Sequence, residues 1–281
     1  MTEKTLMACL TFDFDAWSGL TARGMLTPTP VSRGEFGVVA VPRILELLKR
    51  YNIPASFFSP GIVLETYPHS GELIAEAGHE LGNHGYHHLP PATLTRDEEE
   101  ESLVRGAEVV EKFWGRKPIG YRSPSWDLSD NTVDLLLKHG YVYDSSMMGD
   151  DHMPYRIRQG DKVYKDKPME FGTPSKLIEM PISWNLDDFP HFEFLRMPNS
   201  VMNGLKGISD VLENWLGDFE YMRRTCDWGI LTFTFHPYVS GRGHRMLFLE
   251  RLIEGLIEKG ATFVTMEQAV RAYEAREAAK G

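Results

Sequence analysis

The stretch that decides the fold begins within the end of a short strand-like segment, 79–83, and reads Gly82-Asn83-His84-Gly85-Tyr86-His87-His88. His84 and His88 stand four positions apart, a spacing that puts two side chains on one face of a helical turn. Two neutral imidazoles so placed can hold one divalent metal. Ten histidines in 281 residues produce such a pair by chance in roughly one chain in three. A polar surface turn is therefore the alternative interpretation of this segment, unless other residues also point to a metal site.

Two aspartates are the first other residues that point to a metal site. The short apolar segment 6–12 reads as a buried strand and ends in Asp13-Phe14-Asp15. Strand side chains alternate, so Asp13 and Asp15 point to the same side. Two neighbouring carboxylates repel each other unless a cation or a proton shares their site. This pattern favours a metal ligand next to a general base, with a capping pair as the simpler alternative.

The whole chain alternates predicted strands and helices, without an internal repeat. Helices are predicted at 41–51, 73–77, 96–114, 131–139, 208–224 and 247–258 and from 267, with strands between them. This order predicts an α/β parallel barrel or a doubly wound sheet. Polar residues follow the predicted strands, as expected of a barrel with its active site at the carboxyl ends of the strands: Asp13, Asp15, His84, His88, Arg122, Asp144, Asp187 and His236. One domain is expected over 1–281, with loop insertions at about 17–37 and 147–175.

Composition excludes some classes of partner. The chain has 42% hydrophobic and 25% charged residues and a net charge of −10, which argues against nucleic acid or an anionic membrane as a partner. Two cysteines and no apolar segment of signal-peptide or transmembrane type predict a cytoplasmic location. Phe189, Phe192 and Phe194 are interpreted as surface aromatics. Exposed aromatics of this kind are compatible with a homo-oligomer, and the sequence does not decide the oligomeric state.

Four motifs in order then resemble the polysaccharide deacetylase family, the NodB-type carbohydrate esterases, from Thr11 to about Glu267. The motifs are Thr11-Phe12-Asp13-Phe14-Asp15, His84-Gly85-Tyr86-His87-His88, Arg122-Ser123-Pro124-Ser125-Trp126 and Phe233-Thr234-Phe235-His236. The resemblance implies a distorted (β/α) barrel with one divalent metal, usually zinc. Co²⁺, Ni²⁺, Mn²⁺ and Fe²⁺ suit the same ligands.

The resemblance also implies roles for individual residues. Asp15, His84 and His88 would bind the metal. Asp13 would be the general base with Arg122 as its partner, and His236 the general acid. Further substrate contacts are expected from Trp126 and Pro124, from the backbone near Tyr143 and Ser146 as oxyanion donors, and from Asp187. Either Asp187 or Asp188 would orient His236.

Two departures from the family pattern leave the substrate open. Phe14 separates aspartates that the family usually has adjacent, and Gly85 stands where the family usually has Ser or Thr. The separated aspartates, Ser32-Arg33-Gly34 and Trp184-Asn185-Leu186-Asp187-Asp188 are similar to an intracellular branch of peptidoglycan deacetylase-like proteins and cyclic imide hydrolases. We therefore expect a metal-dependent hydrolase of non-peptide amide bonds acting on a carbohydrate or small molecule. The first choice is deacetylation of N-acetylated amino sugars, the alternative is hydrolysis of a small cyclic imide, and a silent carbohydrate-binding barrel comes third.

Overall fold

The computed structural model describes residues 4–197 and 200–280. The strands, β1 to β11, are Thr5–Asp13, Ser56–Ser59, Glu80–Asn83, Gly120–Tyr121, Tyr143–Asp144, Tyr155–Gln159, Thr173–Glu179, Phe194–Met197, Ser200–Asn203, Trp228–Phe235 and Thr262–Phe263. The helices, α1 to α11, are Ser18–Thr21, Pro28–Tyr51, Gly61–Thr66, Pro68–Glu76, Arg96–Trp114, Thr132–Lys138, Asp188–Phe192, Ile208–Thr225, Pro237–Ser240, Gly243–Glu258 and Met266–Ala278. Short 3-10 turns span Pro124–Trp126 and Trp184–Leu186, among others.

One nine-stranded sheet carries the fold. Its order is β10-β1-β2-β3-β4-β5-β7-β6, with β11 also paired to β1. All pairs are parallel except β6 with β7. Within the described ranges β10 and β6 do not pair with each other, so the curled sheet stays open between them. This is the expected α/β distorted (β/α) barrel, and it brings the carboxyl ends of the parallel strands to one rim.

Strand β1 shows how the core positions the site. Its even-numbered residues from Leu6 to Phe12 pack in the large cluster between sheet and helices, where the Phe12 ring stacks on Phe57 at 4.9 Å. Its odd-numbered residues Met7 and Cys9 pack in a second cluster on the opposite face. Both faces are buried because helices cover a parallel sheet. Asp13 continues the odd-numbered row and so points into the barrel at its rim.

The prediction of a loop over 17–37 is wrong. α1 and the long helix α2 occupy most of this segment. Its glycines suggested a loop, but Gly34 is a contact point of a packed helix: a Cβ there would lie 2.5 Å from the carbonyl oxygen of Ala16. Pro28 falls in the first turn of α2, where its missing N–H leaves no hydrogen bond unmade.

The second predicted insertion, 147–175, is also partly regular. β6 and the start of β7 form an antiparallel pair within it. The sequence shows no clear period there because Ile157 is the one fully buried residue of β6. Two of the three aromatics interpreted as surface residues, Phe189 and Phe192, are buried, and only Phe194 is exposed. In the described ranges no helix has the length and apolar character needed to span a membrane.

Candidate metal centre and active site

Asp15, His84 and His88 meet at the rim. Asp15 follows β1, and the two histidines lie in the loop after β3. His84 Nε2 is 3.4 Å from Asp15 Oδ1, and His88 Nε2 is 3.0 Å from Asp15 Oδ2. All three side chains are buried. The structure therefore brings the two strand ends together around one point.

A loop brings His84 and His88 together, and not the helical turn that their spacing predicts. Gly85 and His88 both have positive φ, at 68° and 60°. Gly85 N donates to Asn83 Oδ1 at 2.9 Å, which holds the turn after β3. His87, next to His88 in the same loop, is exposed. The left-handed conformation at Gly85 is one that residues with a side chain adopt only at a cost, which explains glycine there.

These three residues fit a divalent cation. Asp15 Oδ1 and His88 Nδ1 are buried atoms without a hydrogen-bond partner. His84 Nδ1 lies 2.6 Å from the carbonyl oxygen of Arg122, which can only accept, so this nitrogen carries the proton and Nε2 is left as the ligand atom. One ligand atom from each residue lies within 4.8 Å of the others. Two imidazoles and a carboxylate leave open coordination positions, as catalytic metal sites do.

Electrostatics favour the ligand forms of two of these side chains. Burial raises the pKa of Asp15, but the charges of His88, His84 and His236 and the hydrogen bond from His88 outweigh burial and hold this pKa well below its usual value. Burial lowers the pKa of His84 and favours its neutral form, and a bound cation would then replace the histidine charge beside Asp15. A carboxylate and a neutral imidazole are the forms that bind metal.

Asp13 and Arg122 form a buried ion pair beside the trio. Arg122 Nη1 donates to Asp13 Oδ1 at 2.7 Å, and both side chains are almost fully buried. Arg122 also donates to Thr11 Oγ1 and to Ser145, and its guanidinium lies over the Phe58 ring at 4.3 Å. Asp13 also lines the cleft, as a general base requires, and the hydrogen bond from Arg122 occupies only its Oδ1.

His236 sits opposite, held by two aspartates. Its backbone N–H donates to Asp188 at 3.0 Å, and its Nδ1 lies 2.8 Å from Asp188 Oδ1 and 3.4 Å from Asp187 Oδ1. Ser240 Oγ also donates to Asp188. Burial lowers the pKa of His236, but the negative charges and hydrogen bonds of Asp187 and Asp188 outweigh it and raise the pKa well above the usual value. Nε2 faces the trio, 3.7 Å from Asp15 Oδ2, so a protonated ring presents a donor there.

The cleft over these groups is narrow, with a cavity volume of about 40 Å³. Trp126 and Trp184 stack above it with ring centres 4.3 Å apart. Ser125 and Trp126 both have positive φ, at 59° and 55°. Such strain in two consecutive residues is a feature of functional sites, where surrounding packing holds it.

Most predicted site residues line this cleft, but not all. It is lined by Asp13, Asp15, His84, His88, Trp126, Asp187 and His236 of the predicted set. Pro124 is buried beside Gly85, and Arg122 lies behind Asp13. The predicted contacts of Tyr143 and Ser146 are not found. The Tyr143 hydroxyl donates to Glu80 in the core, and the backbone N–H groups of Tyr143 and Ser146 donate to Ile119 O and Glu179 Oε1.

Sequence reasoning missed other residues of the cleft. Gly19, Arg23, Phe189 and Tyr238 line it as well. Gly19 and Arg23 were hidden by the interpretation of 17–37 as a loop. Phe189 was assigned to the surface, and Tyr238 lies two residues after His236 in a short helix that gives little sequence signal.

Comparison with known proteins identifies the class. The family model described as polysaccharide deacetylase matches residues 5–143. The peptidoglycan deacetylase of Helicobacter pylori is 36% identical over 280 residues, covering 94% of this chain and 95% of that protein. Peptidoglycan deacetylase-like protein FGM2 of Gibberella zeae is 28% identical, covering 96% and 87%. The crystal structure of a candidate polysaccharide deacetylase from Mycobacterium smegmatis superposes with a TM-score of 0.85 at 32% identity, covering 98% of this chain and 92% of that one.

The chain therefore belongs to the polysaccharide deacetylase family, the NodB-type carbohydrate esterases. It is a metal-dependent hydrolase of carbon–nitrogen bonds other than peptide bonds. The structure of PuuE allantoinase shares the fold at 19% identity, with a TM-score of 0.76.

Proposed function

We propose that this protein removes the acetyl group from N-acetylated amino sugars of the peptidoglycan type. The observation that carries the proposal is the trio of Asp15, His84 and His88 lying in one cleft between the Asp13–Arg122 pair and the His236–Asp188 pair. The similarity to the H. pylori peptidoglycan deacetylase over nearly the whole chain supports this substrate class.

Each side chain has a part in the reaction. Asp15, His84 and His88 would hold a divalent ion, which when bound polarises the acetamide carbonyl and lowers the pKa of water. Asp13, held by Arg122 through one oxygen, accepts the proton of the attacking water through the other. His236 donates a proton from Nε2 to the leaving nitrogen, while Asp188 fixes its ring through Nδ1. The free amine and acetate are the products.

Zinc is the metal we propose, because two imidazoles and one carboxylate are a common zinc donor set. We also propose a cytoplasmic location, with a small-molecule or soluble carbohydrate substrate. The unpaired state of Cys9 and Cys226 supports a reducing compartment.

A second candidate, hydrolysis of a small cyclic imide, is favoured by one observation. The stacked Trp126 and Trp184 rings narrow the cleft, and a small ring enters such a cleft more easily than a polymer does.

The deciding experiment is metal content of the purified protein together with turnover of an N-acetylglucosamine oligomer and of succinimide. Near one metal per chain with acetate release from the oligomer supports the deacetylase. Imide turnover without acetate release would overturn it in favour of the second candidate. A protein that binds no metal and turns over neither substrate would be a carbohydrate-binding barrel.

A further inference from the structure

A guanidinium without a carboxylate partner lies at the mouth of the cleft. Arg23 follows α1, and its Nη1 donates to the carbonyl oxygen of Gly19 at 2.5 Å. Its Cζ lies 5.4 Å from the centre of the Phe189 ring. Among the described residues no carboxylate comes within 4.0 Å of it. The hydrogen bond to Gly19 therefore uses one of the five N–H donors of the guanidinium. The remaining donors can bind another partner.

Arg23 is close to the metal-binding residues. A methyl group built on Gly19 would lie 3.5 Å from Arg23 Nη1, 3.5 Å from Asp15 Oδ2 and 3.4 Å from His88 Cε1. The guanidinium and the metal-binding residues thus face one small volume. A ligand whose amide is at the metal-binding residues reaches Arg23 with a substituent only a few atoms away.

The protein itself does not need the Arg23 charge in the cleft. The carboxylates that line the cleft have other partners: Asp13 has Arg122 at 2.7 Å, Asp187 has His236 at 3.4 Å, and Asp15 belongs to the metal-binding trio. Arg23 is exposed and has no close carboxylate partner among the described residues, so it is free to pair with an anionic group of a ligand in the cleft.

We propose that Arg23 binds a carboxylate of the substrate, and that the preferred substrate is an N-acetylated amino sugar with a carboxylate on the same ring as its acetamido group. The planar guanidinium matches a carboxylate with two parallel hydrogen bonds. This inference rests on the proposed function and narrows its substrate class, since a neutral N-acetylglucosamine unit offers Arg23 no charge.

The test uses the zinc-loaded full chain and two matched ligands. One is the methyl glycoside of N-acetylmuramic acid, whose lactyl ether carries the carboxylate, and the other is its lactyl carboxamide. Dissociation constants are measured by calorimetry and acetate release by coupled assay. We expect the wild type to bind the acid more tightly than the amide by roughly 10- to 100-fold, the effect of a hydrogen-bonded charge pair. Arg23→Gln should remove this preference by weakening binding of the acid alone.

Two variants and the melting temperature control for folding. Arg23→Lys keeps the charge without the planar fork and should keep a reduced preference. Arg242→Gln removes an arginine that stacks on Phe36 outside the cleft and should leave the preference unchanged. Equal preference in wild type and Arg23→Gln, or no preference in the wild type, would overturn the inference. Absence of acetate release with the charge preference intact would instead overturn the proposed function and leave the Arg23 subsite standing.

Discussion

Arg122 donates to Asp13 at 2.7 Å, and the carbonyl oxygen of the same Arg122 lies 2.6 Å from His84 Nδ1. One residue at the end of β4 therefore holds both the general-base candidate and a metal-ligand candidate. Breaking a buried ion pair by removing one partner costs roughly 3–5 kcal/mol. This connection explains why an arginine belongs at a position that never touches the cleft.

Asp13→Asn should retain the metal and lose most turnover. Asparagine keeps an oxygen for Arg122 but cannot accept the proton of water at neutral pH. General-base catalysis contributes roughly 10²- to 10⁴-fold, so kcat should fall by that factor. Metal content by mass spectrometry should remain equal to that of the wild type. Loss of the metal in this variant would make Asp13 a ligand and contradict its assignment as the base.

His88→Ala should lose the metal. The variant removes one of three ligands, and the remaining pair cannot hold a tetrahedral ion tightly. The matched control is His87→Ala, because His87 lies next to His88 in the same loop but is exposed. We expect near one metal per chain in the control and far less in His88→Ala after dialysis. Equal metal in both variants would show that the trio is not the metal site.

Asp188→Asn should lower kcat roughly 100-fold or more, because a misoriented His236 is a poor acid. Asp188 accepts from the backbone N–H of His236 and is the nearer carboxylate to Nδ1, at 2.8 Å. Asp187→Asn is the control, since its contact with Nδ1 is 3.4 Å. Metal content should not change in either variant. A larger loss in Asp187→Asn would reverse the assignment of the orienting carboxylate.

Trp184→Ala should widen the cleft and favour larger substrates. Trp184 is half exposed and stacks on Trp126, which is held in a left-handed conformation. Without this stack we expect the ratio of kcat/KM for an N-acetylated tetrasaccharide to that for a monosaccharide to rise several-fold. Trp184→Phe keeps an aromatic stack and should keep the wild-type ratio. An unchanged ratio in Trp184→Ala would mean that the pair does not limit access.

Asp144→Asn should stabilise the protein at alkaline pH. Asp144 and Glu179 are fully buried, one carboxylate oxygen of each has no hydrogen-bond partner, and burial raises the pKa of both. Both pKa values are higher in the folded state than in the unfolded state. The pair therefore stabilises the fold at acid pH, and this contribution is lost as the pH rises from about 4 through the raised values.

The measurement is unfolding free energy at pH 5 and pH 8. The wild type should lose more stability between these values than Asp144→Asn does. At pH 8 the variant should be more stable by roughly 1 kcal/mol or more, the equivalent of about one unit of pKa. Asp166→Asn, at an exposed position, should follow the wild type. A variant less stable than the wild type at pH 8 would show that the carboxylate of Asp144 is needed in its charged form.

The sequence alone determined the fold class and the residues with chemistry at the strand ends. β1 and β10 are long apolar strands that only a covered parallel sheet accommodates. Asp13 comes directly after the apolar residues of β1, and His236 comes directly after β10. Parallel strands bring their carboxyl ends to one rim, so residues distant in sequence could be predicted to meet there. Helix α5 likewise begins at Arg96 and ends at Trp114 as predicted, because a capping box and Gly115 mark its ends.

Only the tertiary structure decided what surrounds that chemistry. The glycines of α2 predict a loop from sequence, because a sequence does not distinguish a flexible glycine from a packed one. In the structure Gly34 approaches Ala16 closely. The choice of Asp188 over Asp187 rests on 0.6 Å of distance to one nitrogen, and Tyr143 turns to Glu80 because its strand faces the core there. Arg23 has no motif at all. Its place beside Asp15 results from the packing of α1 against the rim, a long-range contact that local pattern does not encode.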